Sequence, residues 1–213
     1  MTEDPRTVSV TGSGTAEAAP DLLTLSIGVE CRRADVATAY RDAAGASSAI
    51  TAVLRGHGVA NPDITTSGLN LRAEVSWQEG RGQLVSGYLA STMLSVRLRD
   101  ISDSAGIISA AVAAGGDEVR LNGLQLGFAD AEDVEARARE AAWNDARTRA
   151  EHFAALAGAR LGKVLSAAQH SSAAPPLPLA GGLQRAAASE PLAVEAGSAS
   201  VTTALDVVWE LLD

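Results

Sequence analysis

Long stretches of this chain place an apolar residue at every second position, and that period constrains the fold more than any other feature. Side chains of an extended strand point alternately to its two faces, so such a stretch buries one face and offers the other to water or to a partner. From Leu69, the residues Leu71, Ala73, Val75 and Trp77 alternate with Asn70, Arg72, Glu74, Ser76 and Gln78. After a turn over Glu79 to Gly82, the residues Leu84, Tyr88, Ala90, Thr92, Leu94, Val96 and Leu98 take up the pattern again. This predicts a β-hairpin whose arms are longer than the roughly 5 or 6 residues usual for a strand. Its tip then projects beyond a sheet of ordinary width.

Other segments read in the same way. Val8 and Val10 alternate with Thr7, Ser9 and Thr11, which predicts a short strand ended by a turn at Gly12-Ser13-Gly14. Leu23, Leu25, Ile27, Val29 and Cys31 form one face of a half-buried strand that follows Pro20-Asp21. Between Val119 and Phe128 the apolar phase changes from Val119 and Leu121 to Leu124, Leu126 and Phe128. A one-residue slip at Asn122-Gly123 of this kind predicts a β-bulge. Lys163 to Ala168 is a short strand, and Val201, Thr203, Leu205, Val207, Trp209 and Leu211 make a closing core strand.

Three segments carry the helical period instead. Asp35 can accept a bond from a free first-turn amide of a helix that presents Tyr40, Ala44, Ser47, Ile50 and Leu54 and stops at Gly56 to Gly58. Ser102 to Gly115 presents Ile107, Ile108, Ala111 and Val112, with Gly115-Gly116 as its stop. The longest runs from Asp130 and Asp133 through Val134, Ala138, Ala142, Phe153 and Leu156 to Gly158. Asp133 with Arg137, Glu135 with Arg139 and Asp145 with Arg149 each stand four apart, as ion pairs on a solvated helix face do.

The order of elements contains a ferredoxin-like β-α-β-β-α-β unit followed by a helix and strands. The expected fold is α+β: a mainly antiparallel sheet with helices packed on one face and a long projecting hairpin. At 213 residues the whole chain, 1–213, is expected to form one domain. Within it, 171–190 reads as a mobile loop, with Pro175, Pro176, Pro178 and Gly181-Gly182 among alanines and serines.

A net charge of -9 repels phosphate backbones, so nucleic acid is not an expected partner. No apolar run reaches the roughly 18 residues that a membrane span requires. Met1 to Thr7 carries neither a basic segment nor the apolar segment of a signal peptide, from which a cytoplasmic protein is expected.

Residues that could carry chemistry are scattered. Gly12-Ser13-Gly14 lacks the pattern of a phosphate-binding loop. His57, His152 and His170 offer no i, i+4 pair for zinc, and His57 between two glycines suits a helix C-terminus. Cys31, the sole cysteine, falls on the inward phase of its strand. Asp100 with Asp103, and Asp130 with Asp133, stand where helix starts favour negative charge. No catalytic residue, metal ligand or cofactor site is expected, and the chain is read as a non-enzyme.

Taken in order, several landmarks resemble the SIMPL-domain family, which includes bacterial periplasmic immunogenic and oxidative-stress defence proteins. They are Val10-Thr11-Gly12-Ser13-Gly14, Pro20-Asp21, Gly58-Val59, Asp63-Ile64-Thr65-Thr66, Tyr88, Asn144-Asp145-Ala146-Arg147, Ala150-Glu151 and Leu161-Gly162-Lys163-Val164. The resemblance implies an α+β fold, a tendency to form large homo-oligomers and a link to stress, and it brings no established catalytic residues. Many members of that family are exported.

On the nominal solvent phase of the strands stand Val85, Leu89 and Met93 in the hairpin and Val208 and Leu212 near the C-terminus, where polar residues are the rule. These five are the expected self-association surface. The functional expectation is a self-assembling homo-oligomer, with two alternatives: an adaptor that binds another protein, or a small-molecule binder or enzyme whose site forms between subunits.

Overall fold

The computed structural model describes residues 6–80, 82–170, 177–178 and 194–213. The segment 171–190, read from sequence as a mobile loop, lies outside the described residues apart from 177–178. The elements are β1 (Thr7–Ala18), β2 (Leu22–Arg33), α1 (Val36–Gly56), β3 (Ile64–Gln78), β4 (Gly82–Leu98), α2 (Ser104–Gly115), β5 (Val119–Gly127), α3 (Glu132–Leu156), β6 (Arg160–His170), β7 (Leu177–Pro178) and β8 (Ala199–Leu212). They fall into two compact units with a sheet each.

The first unit is Asp21–Gly127 with the described part of Leu183–Ala196. Its strands lie in the order β3-β4-β2-β5, every neighbour antiparallel, which is the ferredoxin-like arrangement. Leu23, Leu25, Ile27, Val29 and Cys31 of β2 and Ala90, Leu94, Val96 and Leu98 of β4 face α1 and α2. The Asp35 side chain accepts from the Thr38 amide at 2.9 Å and starts α1, and His57 caps its far end. The buried face of α1 is Ala39, Ala43, Ile50 and Leu54: the last two are as the period predicts, but in the first half Ala39 and Ala43 replace Tyr40 and Ala44, and this leaves Tyr40 exposed. In β5 the pairing jumps from Ser26–Gly123 to Ile27–Leu121, so Asn122 is the bulged residue and Leu121, Leu124 and Leu126 all keep the core phase.

The second unit comprises the described residues of Met1–Pro20, Phe128–Gly182 and Gly197–Asp213. β8 lies between β1 and β6, both antiparallel to it, and β7 pairs with Ala199 and Ser200. α3 packs on this sheet through Val134, Ala138, Ala142, Ala146, Ala150 and Ala154, all buried. Phe153 and Leu156, expected on that face, are exposed. The turn expected at Gly12-Ser13-Gly14 is absent: β1 runs straight through it to Ala18. Both glycines point at α3, and a Cβ on Gly12 would stand 2.2 Å from the Ala142 carbonyl oxygen, one on Gly14 2.2 Å from the Ala142 nitrogen. Small residues on both sides let helix and strand backbones touch, which is a structural use of strand glycine.

The charges of α3 divide. Glu135–Arg139 and Asp145–Arg149 form, at 3.4 and 3.0 Å, and Arg147–Glu151 joins them at 2.8 Å. Asp145 and Arg149 also reach the free edge of β1, where Asp145 accepts from the Ser13 amide at 2.9 Å and Arg149 donates to the Thr11 carbonyl at 3.1 Å. Trp143 and Trp209 pack at 6.0 Å between ring centres beside Val207 and Val10.

Candidate functional site

The hairpin of the first unit has the arms that the alternation predicts, 15 and 17 residues long. Its pairing is irregular twice. Ser67 is extra on β3, and Ser86 is extra on β4, because Glu74 pairs with Gly87 and Val75 with Val85. The Ser86 bulge moves Val85 onto the face shared by Val75, Trp77, Leu71 and Leu69. That face is the one which, nearer the helices, forms the core. Beyond them it continues bare, with Trp77 79% exposed, Val85 56% and Val75 50%, and Leu69, beside α1 on the edge strand, is also 66% exposed.

Val85 therefore lies on the opposite face of the hairpin from Leu89 and Met93, while Val208 and Leu212 belong to the second unit. Leu89 shares its face with Arg32 and Arg72, directly across from each, and is only 5% exposed. Met93 is half-buried, its sulfur against Gly28 and within 3.1 Å of the Asn122 side-chain amide. In the second unit Val208 is half-buried and Leu212 exposed. Sequence phase alone misplaced Val85 because a bulge on β4 inverts the alternation there. It missed the exposure of Leu69, Leu71, Val75 and Trp77 because a buried and a bare apolar face have the same period.

A second feature is a carboxylate held by two arginines. Asp63, at the mouth of β3, is buried, and lies 2.8 Å from Arg97 and 3.1 Å from Arg99, whose guanidinium meets it through two nitrogens. The Arg99 hydrogen bonds, and then the two positive charges, hold its carboxyl below the usual carboxylate range. A hollow of about 270 Å³ adjoins it, lined also by His57, Val59 and Ile107. The acid takes its partners from both arginines, so the cluster ties the loop after α1 to the end of β4.

In the second unit Asp206 accepts from the Thr11 hydroxyl at 2.6 Å and contacts His170. Thr11 first, then His170, holds the Asp206 carboxyl below its ordinary range. The threonine meets the acid and not the imidazole, which differs from the hydroxyl–imidazole–carboxylate order of a catalytic triad. Cys31 is fully buried, and burial first, then the Glu118 charge, pushes its thiol up. His57 stands at the C-terminal end of α1, and His152 lies on α3 beside Phe153. Asp100 accepts from the Ser102 amide and Asp130 from the Glu132 amide, so these acids shape the approach to α2 and α3, while Asp103 makes no side-chain cap. Among the described residues, no group of three His, Cys, Asp or Glu side chains could hold a metal ion, and no helix is long and apolar enough to cross a membrane.

The fold defines an α+β protein of helix-backed antiparallel sheets, ferredoxin-like in its first unit and bearing a projecting hairpin. The chain belongs to the SIMPL family, a family described as protein of unknown function (DUF541), whose model matches residues 8–209. It is 31% identical over 224 residues, 99% of this chain and 87% of the relative, to the 26 kDa periplasmic immunogenic protein of Brucella melitensis. It is 28% identical over 172 residues, 81% of this chain and 69% of the relative, to the uncharacterized protein YggE of Escherichia coli. Relatives that align with 99% of the chain are named as periplasmic proteins, and this overturns the cytoplasmic expectation. That expectation rested on the residues ahead of the first strand, and a folded core does not encode its compartment.

Proposed function

We propose that this chain is a non-enzymatic, self-assembling protein of the periplasm whose hairpin contacts other copies. One observation carries the reading: the apolar face of the hairpin, Leu69, Leu71, Val75, Trp77 and Val85, is exposed over a continuous stretch. A Trp at a projecting tip is costly to leave in water and is the kind of residue that anchors interfaces. The periplasmic placement rests on the names of the relatives. Any stress role would run through assembly, because the sole thiol is buried with its pKa raised and offers no thiolate to an oxidant.

The test is the mass of the native particle by light scattering or sedimentation at micromolar concentration. An oligomer is expected, and Val75→Asp with Trp77→Glu should lower its mass while circular dichroism stays that of the parent. A monomeric parent would remove the proposal.

A further inference from the structure

Among the described residues, β1 and β6 flank one sheet and β3 and β5 the other, and these outer strands are not equally protected. β1 has its edge groups at Thr11 and Ser13 taken up by Arg149 and Asp145 of α3. β5 is broken by its bulge at Asn122, and the pairing of β6 shifts twice between Leu161 and Ser166. β3 differs. Its extra residue, Ser67, lies near its start, and the second irregularity puts the extra residue on β4, so β3 itself is regular from Gly68 to Gln78. The side-chain hydrogen bonds that its backbone accepts there come from Thr92 and Ser86 of β4, on the inner edge. A long regular edge with an apolar face and no proline or lysine is a template for another strand.

The sequence of this edge is complementary to itself. Reading outward from Ala73 in both directions pairs Arg72 with Glu74, Leu71 with Val75, Asn70 with Ser76 and Leu69 with Trp77. Opposite charges meet on one face, polar residues meet on the same face, and apolar residues meet on the other. Cross-strand pairs of these kinds are the ones that stabilise antiparallel ladders. We propose that β3 pairs with β3 of a second copy, antiparallel and two-fold related, so that Ala73 lies opposite the partner's Ala73. Arg72 then faces the partner's Glu74, and Leu69 packs against the partner's Trp77. The inference rests on the self-assembly proposed above and names the contact that begins it; a two-fold contact of this type is isologous and closes on itself.

Cysteine cross-linking reads the register. Ala73→Cys places two thiols directly opposite, within the Cα separation of about 4.5 to 5.5 Å of an antiparallel pair, which a disulfide spans. Copper phenanthroline should convert this variant to a covalent dimer, whereas the parent, with Cys31 buried, should stay uncoupled. Asn70→Cys and Ser76→Cys are an independent pair on exposed polar positions. Each alone sets its two thiols about 20 Å apart and should not couple, while the mixture should couple at least about tenfold faster than either alone. An oligomeric parent in which neither Ala73→Cys nor the mixture couples would overturn the register and leave self-assembly standing. A monomeric parent would overturn both.

Discussion

Gly12 of β1 stands against Ala142 of α3 so closely that a Cβ on the glycine would lie 2.2 Å from the alanine carbonyl oxygen and 2.6 Å from the Ala146 Cβ. The obstructing atoms are largely backbone, so no rotamer change relieves them. Gly12→Ala should destabilise the protein by at least about 2 kcal/mol, the scale of overpacking in a filled core. Gly45→Ala is the control, because Gly45 lies inside α1 with nothing near its missing Cβ. That change should stabilise by about 0.5 to 1 kcal/mol through helix propensity. Urea denaturation of both variants checks the contrast; equal effects would mean that the helix does not press on the strand.

Asp63 makes stability depend on acid pH. Its folded carboxyl titrates below the usual range, chiefly through Arg99 and then Arg97. A depressed acid contributes its stabilisation above its unfolded pKa of about 3.9 and loses it as pH falls through the folded value. Asp63→Asn should therefore lower the thermal midpoint at neutral pH, by an amount equivalent to about 1 to 3 kcal/mol, and narrow the gap to the parent as pH falls below about 4. A gap that is constant from neutral to acid pH would deny the two ion pairs their role.

How much of this could be read from sequence varies with the kind of signal. The hairpin, the Asn122 bulge and the Asp35 cap were legible because each is local, a period or a phase within one segment. Gly12-Ser13-Gly14 was not, since the same three residues make a turn when isolated and a strand when an alanine stripe lies against them. Size suggests that Phe153 and Leu156 are buried, yet α3 lies so close to β1 that alanines form its buried face, with Ala142 and Ala146 directly against Gly12. The clamp on Asp63 joins residues 34 and 36 positions away, and no local pattern announces it. In the candidate surface, the single residue Ser86 moved Val85 to the opposite face from Leu89 and Met93.

Cys31 should be silent toward a thiol reagent in the folded protein. It is fully buried beneath α1, and desolvation, with Glu118 second, raises its pKa. Both effects reduce the thiolate that reacts. Ellman's reagent at pH 8 should label the thiol only as fast as the protein opens, and fully within the mixing time in guanidinium. Rapid labelling of the native form would show that the face of β2 against α1 is open.

The bulge in β5 predicts unequal tolerance to deletion on two strands that lie side by side. Ser26 pairs with Gly123 and Ile27 with Leu121, so Asn122 has no counterpart on β2. Removing Asn122 joins Leu121 to Gly123 without changing which face any neighbour occupies. Its loss forfeits a weak contact with the Met93 sulfur, and the deletion should cost less than about 1 kcal/mol. Removing Ser26 instead makes Leu25 and Ile27 adjacent on a central strand paired on both sides. One half of β2 must then turn its side chains outward. Leu23 and Leu25, both fully buried, would be lost from the core at about 1.5 to 3 kcal/mol each. The Ser26 deletion should therefore fail to yield a cooperative unfolding transition while the Asn122 deletion keeps the midpoint near that of the parent. If the two deletions behaved alike, the extra residue would not lie at position 122.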